Sequence, residues 1–92
     1  MKFSAKAIIN AASEASGVKV ENIELFKDDG FYYWGGKAGA SMRGSCIYVN
    51  RLSDFDSLER WVDDFTSKCE EAIRNTDHST MQEYIDSIDW EI

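Results

Sequence analysis

The 92 residues include no proline, two cysteines and one histidine. Cys46, Cys69 and His78 cannot fill a four-ligand zinc site between them, so no structural metal of that kind is expected. Apolar residues make up 43% of the chain but form no run long enough to span a bilayer, and no membrane segment is expected. The start, Met1-Lys2-Phe3-Ser4, leads into an amphipathic rather than an apolar stretch and carries no lipidation motif. It reads as the start of a cytoplasmic protein with reduced thiols. Bases are scarce as well. Ten Lys and Arg stand against seventeen Asp and Glu, and the net charge of -7 repels nucleic acid and anionic membranes at long range. One domain over residues 1–92 is all that this length allows, and its core leaves little room for an enclosed catalytic cleft. Neither a cofactor nor enzymatic activity is expected.

The charge that is present lies unevenly. Residues 1–52 hold seven bases and five acids, for +2, whereas residues 53–92 hold three bases and twelve acids, for -9. A basic protein surface is the natural complement of the second half, although acidity also serves solubility alone.

Periodicity divides the chain into six elements. Ile8, Ala12 and Ala15 share one face of a helix from Phe3 to Ser16, with Gly17 as its left-handed stop and Lys6, Asn10, Ser13 and Glu14 toward water. From Val20 the period falls to two. Ile23 and Leu25 alternate with Asn22, Glu24 and Phe26, and Asp28-Asp29-Gly30 offers the positive-φ residue of a tight hairpin. Phe31 to Trp34 makes a second strand, aromatic on both faces, with one face expected in the core and the other against a helix. Gly35, Gly36, Gly39 and Gly44 then mark either a glycine-rich loop or a bulged continuation of that strand. Cys46 to Val49 is the third strand.

Phe55, Leu58, Val62, Phe65, Cys69 and Ala72 follow at spacings of 3, 4, 3, 4 and 3, an apolar helical stripe preceded by Ser53 and Asp56 in the relation of a capping box. A second capping pair, Ser79 and Gln82, introduces Met81, Ile85 and Ile88 of a short last helix, and Trp90 and Ile92 are expected to tuck against the core. The order αβββαα predicts an α+β fold, a three-stranded antiparallel meander sheet packed by helices.

Motifs for chemistry fail one by one. Gly36-Lys37 is followed by Ala38, and Phe31 occupies the first glycine position of a phosphate-binding loop. The dinucleotide pattern fails because Gly35, Gly36 and Gly39 are read as leading into a strand rather than opening a helix. Asp54-Phe55-Asp56 starts like a calcium loop but runs into Leu58 and a helix. Cys46 and Cys69 lie on apolar faces and are read as packing residues. His78 sits in a polar loop with no third group to orient it, so no Cys-His nucleophile is assigned. Phe31 to Lys37 superficially fits a base-stacking strand, but the acidic half opposes such a ligand. If Tyr32 or Trp34 is exposed, contact with a protein is the better reading.

The acids remain. At about 100° per residue, Asp56, Glu59, Asp63 and Glu70 fall within an arc of roughly 60° on the long helix, away from its apolar stripe. Asp64 and Glu71 flank the row, and Glu83, Asp86 and Asp89 point away from the apolar side of the last helix. Four carboxylates on this helix give about one charge per 5 Å, far sparser than duplex DNA at one per about 1.7 Å. Two such helices side by side approach the density of a single strand and suit a basic channel.

The run from Asp54 to Phe65, after a helix and small sheet and before a short helix ending Asp86-Ser87-Ile88-Asp89, resembles the layout of small acidic phage-encoded anti-CRISPR proteins. It is most similar to a type I-F inhibitor of αβββαα fold that occupies the DNA-binding surface of the Cascade complex as a DNA mimic. The resemblance implies that Asp54, Asp56, Asp63 and Asp64 face lysines of the partner. It also implies a host-cell cytoplasmic location. The expected partner is a basic host protein or ribonucleoprotein, a CRISPR effector by resemblance, bound by a monomer or homodimer through these acids with Tyr32 or Trp34 as anchor. Direct contact with nucleic acid or membrane is not expected. The alternative is an assembly protein that associates through an apolar helix face or strand edge.

Overall fold

Ser4 Oγ accepts the Ala7 N–H at 3.1 Å and opens α1 (Ala5–Ser16), which Gly17 closes at φ 78° by donating its N–H to the Ser13 carbonyl. The computed structural model describes residues 4–55 and 57–90. β1 (Glu24–Asp28) and β2 (Phe31–Gly35) pair antiparallel across Asp29-Gly30, with Gly30 at φ 82° as the hairpin requires, Leu25 opposite Trp34 and Phe26 opposite Tyr33. β3 (Cys46–Ile47) adds antiparallel to β2, giving the open sheet order β1-β2-β3. The α+β meander expected from periodicity is therefore present. β3 is shorter than the expected Cys46 to Val49, because the Val49 N–H bonds back to the Ile47 carbonyl at 3.0 Å and turns the chain away from β2.

Gly35 ends β2 and Gly44 lies in the loop before β3, but most of the stretch between them is neither loop nor strand. It folds as a short helix, α2 (Gly36–Ser41), with Ala38 fully buried. Gly36 sits at φ 70°, a turn that an L side chain disfavours, and so the glycines do open a helix, contrary to the expectation above.

α3 (Leu58–Ile73) begins after Ser57 rather than at Ser53. Leu52–Asp54 form a 3-10 turn instead, and Asp54 Oδ2 accepts the N–H groups of Asn50 and Arg51 at 2.9 and 3.0 Å. The expected capping partner, Asp56, lies outside the described residues. α4 (Met81–Ser87) is capped by Thr80, not Ser79, with Oγ1 accepting the Glu83 N–H at 3.1 Å. Gln82 is left free to tie α4 to the segment after α1, its Oε1 accepting from Lys19 N at 2.8 Å and Asn22 Nδ2 at 3.3 Å.

The core sits between the sheet and the helices. Trp34 of β2 meets Phe65 and Trp61 of α3 edge-on, at 4.7 and 6.2 Å between ring centres. The buried row of α3 is Trp61, Phe65, Cys69 and Ala72, so the helix is turned from the expected stripe, leaving Leu58 and Val62 half-buried. Trp61 is held in this place by its Nε1–H bond to the Leu52 carbonyl at 2.9 Å. Trp90 packs against the core and donates to the Ile85 carbonyl at 2.9 Å, as expected of the tail; Ile92 lies outside the described residues. Among the described residues no helix is long and apolar enough to cross a membrane.

Candidate functional site

The exposed side of α3 carries Glu59, Asp63, Glu70 and Glu71. Their carboxylates have no hydrogen bond or ion pair to another described residue, so each is free to take a partner's cation. About 6 Å of helix axis separates Glu59 from Asp63, and about 10 Å separates Asp63 from Glu70. Asp86 is exposed on α4 and accepts from Gln82 Nε2 at 2.9 Å; Asp89 is exposed beyond the helix end.

Asp64 does not belong to this row. It is half-buried at the edge of the core, where Oδ2 accepts Trp34 Nε1–H at 2.9 Å and both oxygens accept from Lys68 Nζ at 2.7 Å. A carboxylate already satisfied by an indole and an ammonium has little left to offer a partner. Asp54 is exposed but engaged, bonding two backbone N–H groups and lying 3.7 Å from Arg51 Nε. Asp56 is outside the described residues. The expected site thus reduces to Glu59, Asp63, Glu70 and Glu71 on α3, with Asp86 on α4 and Asp89 beyond its end.

The aromatic anchors are also reassigned. Trp34 is 1% exposed and belongs to the core; Tyr32, on the same face of β2, is half-buried with its ring edge-on to Trp61 at 5.7 Å. The aromatic residues that reach solvent lie on the other face. Phe26 (41% exposed) lies tilted against Tyr33 at 5.2 Å, and Phe31 bridges Tyr33 to Tyr48 (82% exposed) at 6.1 Å each. Among the described residues these four rings neither join the core nor pack against it, contrary to the two-sided packing expected of β2. Strand parity signals their placement: a two-residue turn pairs Phe26 with Tyr33 on the face opposite Leu25.

A third feature appears only in three dimensions. Along the seam where α1 packs on α3, an open groove of about 310 Å³ has Ala11, Ala15, Leu58 and Val62 as its apolar lining. Glu14, Glu59 and Asp63 complete the lining, with no base among the described lining residues.

Two further titratable groups are shifted by their immediate surroundings. Hydroxyl donation by Ser79, with Thr80 beside it, holds the Glu83 carboxyl below its ordinary range and completes the cap of α4. Burial, with the charge of Glu70 adding to it, pushes the Cys69 thiol up from 9.0 to about 12. Its thiolate fraction at neutral pH is then about a thousandfold lower than that of a free thiol. A disulfide reagent at pH 7.5 should therefore modify exposed Cys46 within the native protein and Cys69 only on unfolding. Two rapidly reacting thiols in the native state would contradict this assignment. Among the described residues no three His, Cys, Asp or Glu side chains gather as a metal site. The chain matches no protein-family model, and no curated protein or solved structure was found to be similar to it.

Proposed function

We propose that this chain is a non-enzymatic inhibitor that binds a basic, nucleic-acid-binding surface of a host defence complex, in the manner of the anti-CRISPR proteins its layout resembles. The observation that carries the reading is the row of unengaged carboxylates on α3, Glu59, Asp63 and Glu70, in a half of the chain that holds -9. Such a row steers encounter with a basic channel, and on contact its carboxylates replace phosphates as partners of Lys and Arg. Its sparse charge makes it a competitor at a few positions rather than a copy of a duplex.

The test is competition between the protein and labelled duplex for a type I-F surveillance complex at two salt concentrations. The wild type should displace duplex more effectively at low salt, and Glu59→Lys/Asp63→Lys should weaken displacement by about tenfold or more. No displacement by the wild type sinks the inhibitor reading, and an unaffected, folded double variant sinks the proposed face.

The open aromatic face favours a second reading, assembly through an apolar surface. Four rings in tilted contact, with Tyr48 82% exposed, are the kind of patch that pairs with another. Mass that rises with concentration and is insensitive to salt would favour this reading over the first.

A further inference from the structure

We propose that the groove between α1 and α3 is the specificity pocket of the acidic face, and that its occupant is a basic amphipathic helix of the partner, seated by one large apolar side chain. This rests on the reading that the α3 face binds a basic protein. Ala11 and Ala15 stand one turn apart on α1, as Leu58 and Val62 do on α3, so two short apolar rows face each other across the seam. The alanines end at Cβ, and that is what leaves a depression between helices otherwise in contact.

The walls decide which apolar ligand enters. Glu14 stands on the α1 side and Glu59 and Asp63 on the α3 side. A segment lying in the groove therefore meets a carboxylate on each flank, which selects Lys or Arg on both sides of an apolar residue. That pattern is the one displayed by an amphipathic helix laid into a groove by its i, i+3 and i+4 positions. Nucleic acid offers the wrong charge, and a second copy of this chain would bring its own -7 against the same acids. At about 310 Å³ the space matches the smallest small-molecule sites, near 300 Å³, and suits one anchoring side chain. Rim acids thus supply attraction at a distance, and the floor distinguishes one basic sequence from another.

Two synthetic helical peptides test this, one with a single leucine flanked by lysines one turn away on either side, the other with serine in place of that leucine. Binding is read by fluorescence anisotropy and by NMR shifts of the Ala11, Ala15, Leu58 and Val62 methyl groups. The leucine peptide should bind about tenfold more tightly than the serine peptide and shift those methyls. Ala15→Phe, which fills the groove, and Val62→Ser, which makes its lining polar, should each abolish the leucine peptide's advantage over the serine peptide. Glu59→Lys/Asp63→Lys should weaken both peptides together. If both peptides bind equally to the wild type, or the methyls do not shift, the pocket is refuted while loss of binding in the charge-reversed variant preserves the acidic face. Failure of the charge reversal to weaken either peptide removes the acidic face as well.

Discussion

Replacing Trp34 by Ala is expected to remove about 3 to 5 kcal/mol of stability, the range for truncating a large buried aromatic residue. Trp34 is 1% exposed and contacts α3 in two chemically different ways. Its ring lies edge-on to Phe65 and Trp61, and its Nε1–H reaches Asp64 at 2.9 Å. Truncation opens a cavity between sheet and helix and removes the indole donor from a half-buried carboxylate, leaving Lys68 as its partner there. A domain of this length has about 5 to 14 kcal/mol in total, so the loss takes a large share of it. The thermal midpoint should fall by more than about 12 °C. Phe31→Ala, three residues earlier on the same strand but on the open face, should lower it far less. Equal losses at the two positions would mean that the open face is packed, and a loss at Trp34 below about 1 kcal/mol would mean that it is not central to the core.

That contrast between neighbours on one strand marks where sequence reading succeeds. Apart from α2, which interrupts the expected αβββαα between β2 and β3, the element order is legible because period two and period 3.6 separate cleanly, and because Gly17 and Gly30 stand where left-handed backbone is needed. The open aromatic face is legible in principle as well. Once Asp29-Gly30 is read as a two-residue turn, pairing of Asp28 with Phe31 puts Phe26 and Tyr33 together, away from Leu25. What misleads is the aromatic content of β2, since Tyr32, Trp34, Phe31 and Tyr33 have similar apolarity and only parity tells them apart.

The acidic site is half legible, for a different reason. Helical angles place Glu59, Asp63 and Glu70 correctly toward solvent, but angles do not report that Trp34 supplies a hydrogen-bond donor to Asp64 from another element. The rotation of α3 that buries Trp61 is likewise set by a bond to Leu52, outside the helix. Charge counted along a chain therefore overstates the charge available to a partner, because carboxylates such as Asp54 and Asp64 are already committed to the fold.

Gly39→Ala tests α2, a helix that periodicity does not announce. Helix propensity alone favours this change by about 1 kcal/mol, since alanine is the better helix former. Packing opposes it: a Cβ at Gly39 would stand 2.2 Å from the Trp34 carbonyl oxygen and 2.5 Å from its carbon, both backbone atoms at the junction of β2 and α2. Relief requires α2 to lift from the strand, which withdraws Ala38 from the core and loosens the closure of the sheet over Trp34. Overpacking of this kind costs about 1 to 3 kcal/mol or more, and here it outweighs the propensity gain because neither neighbour is a movable side-chain end. With a cost in the middle of that range the net loss is about 1 kcal/mol, so Gly39→Ala should lower the thermal midpoint by about 4 to 8 °C. Gly44→Ala, where a Cβ meets nothing within 4 Å and φ is not positive, should raise stability by about 0.4 to 1 kcal/mol through the unfolded state. Opposite signs at two glycines five residues apart are expected only if α2 is clamped onto β2; stabilisation at both positions would mean that the segment is the loose loop its composition suggests.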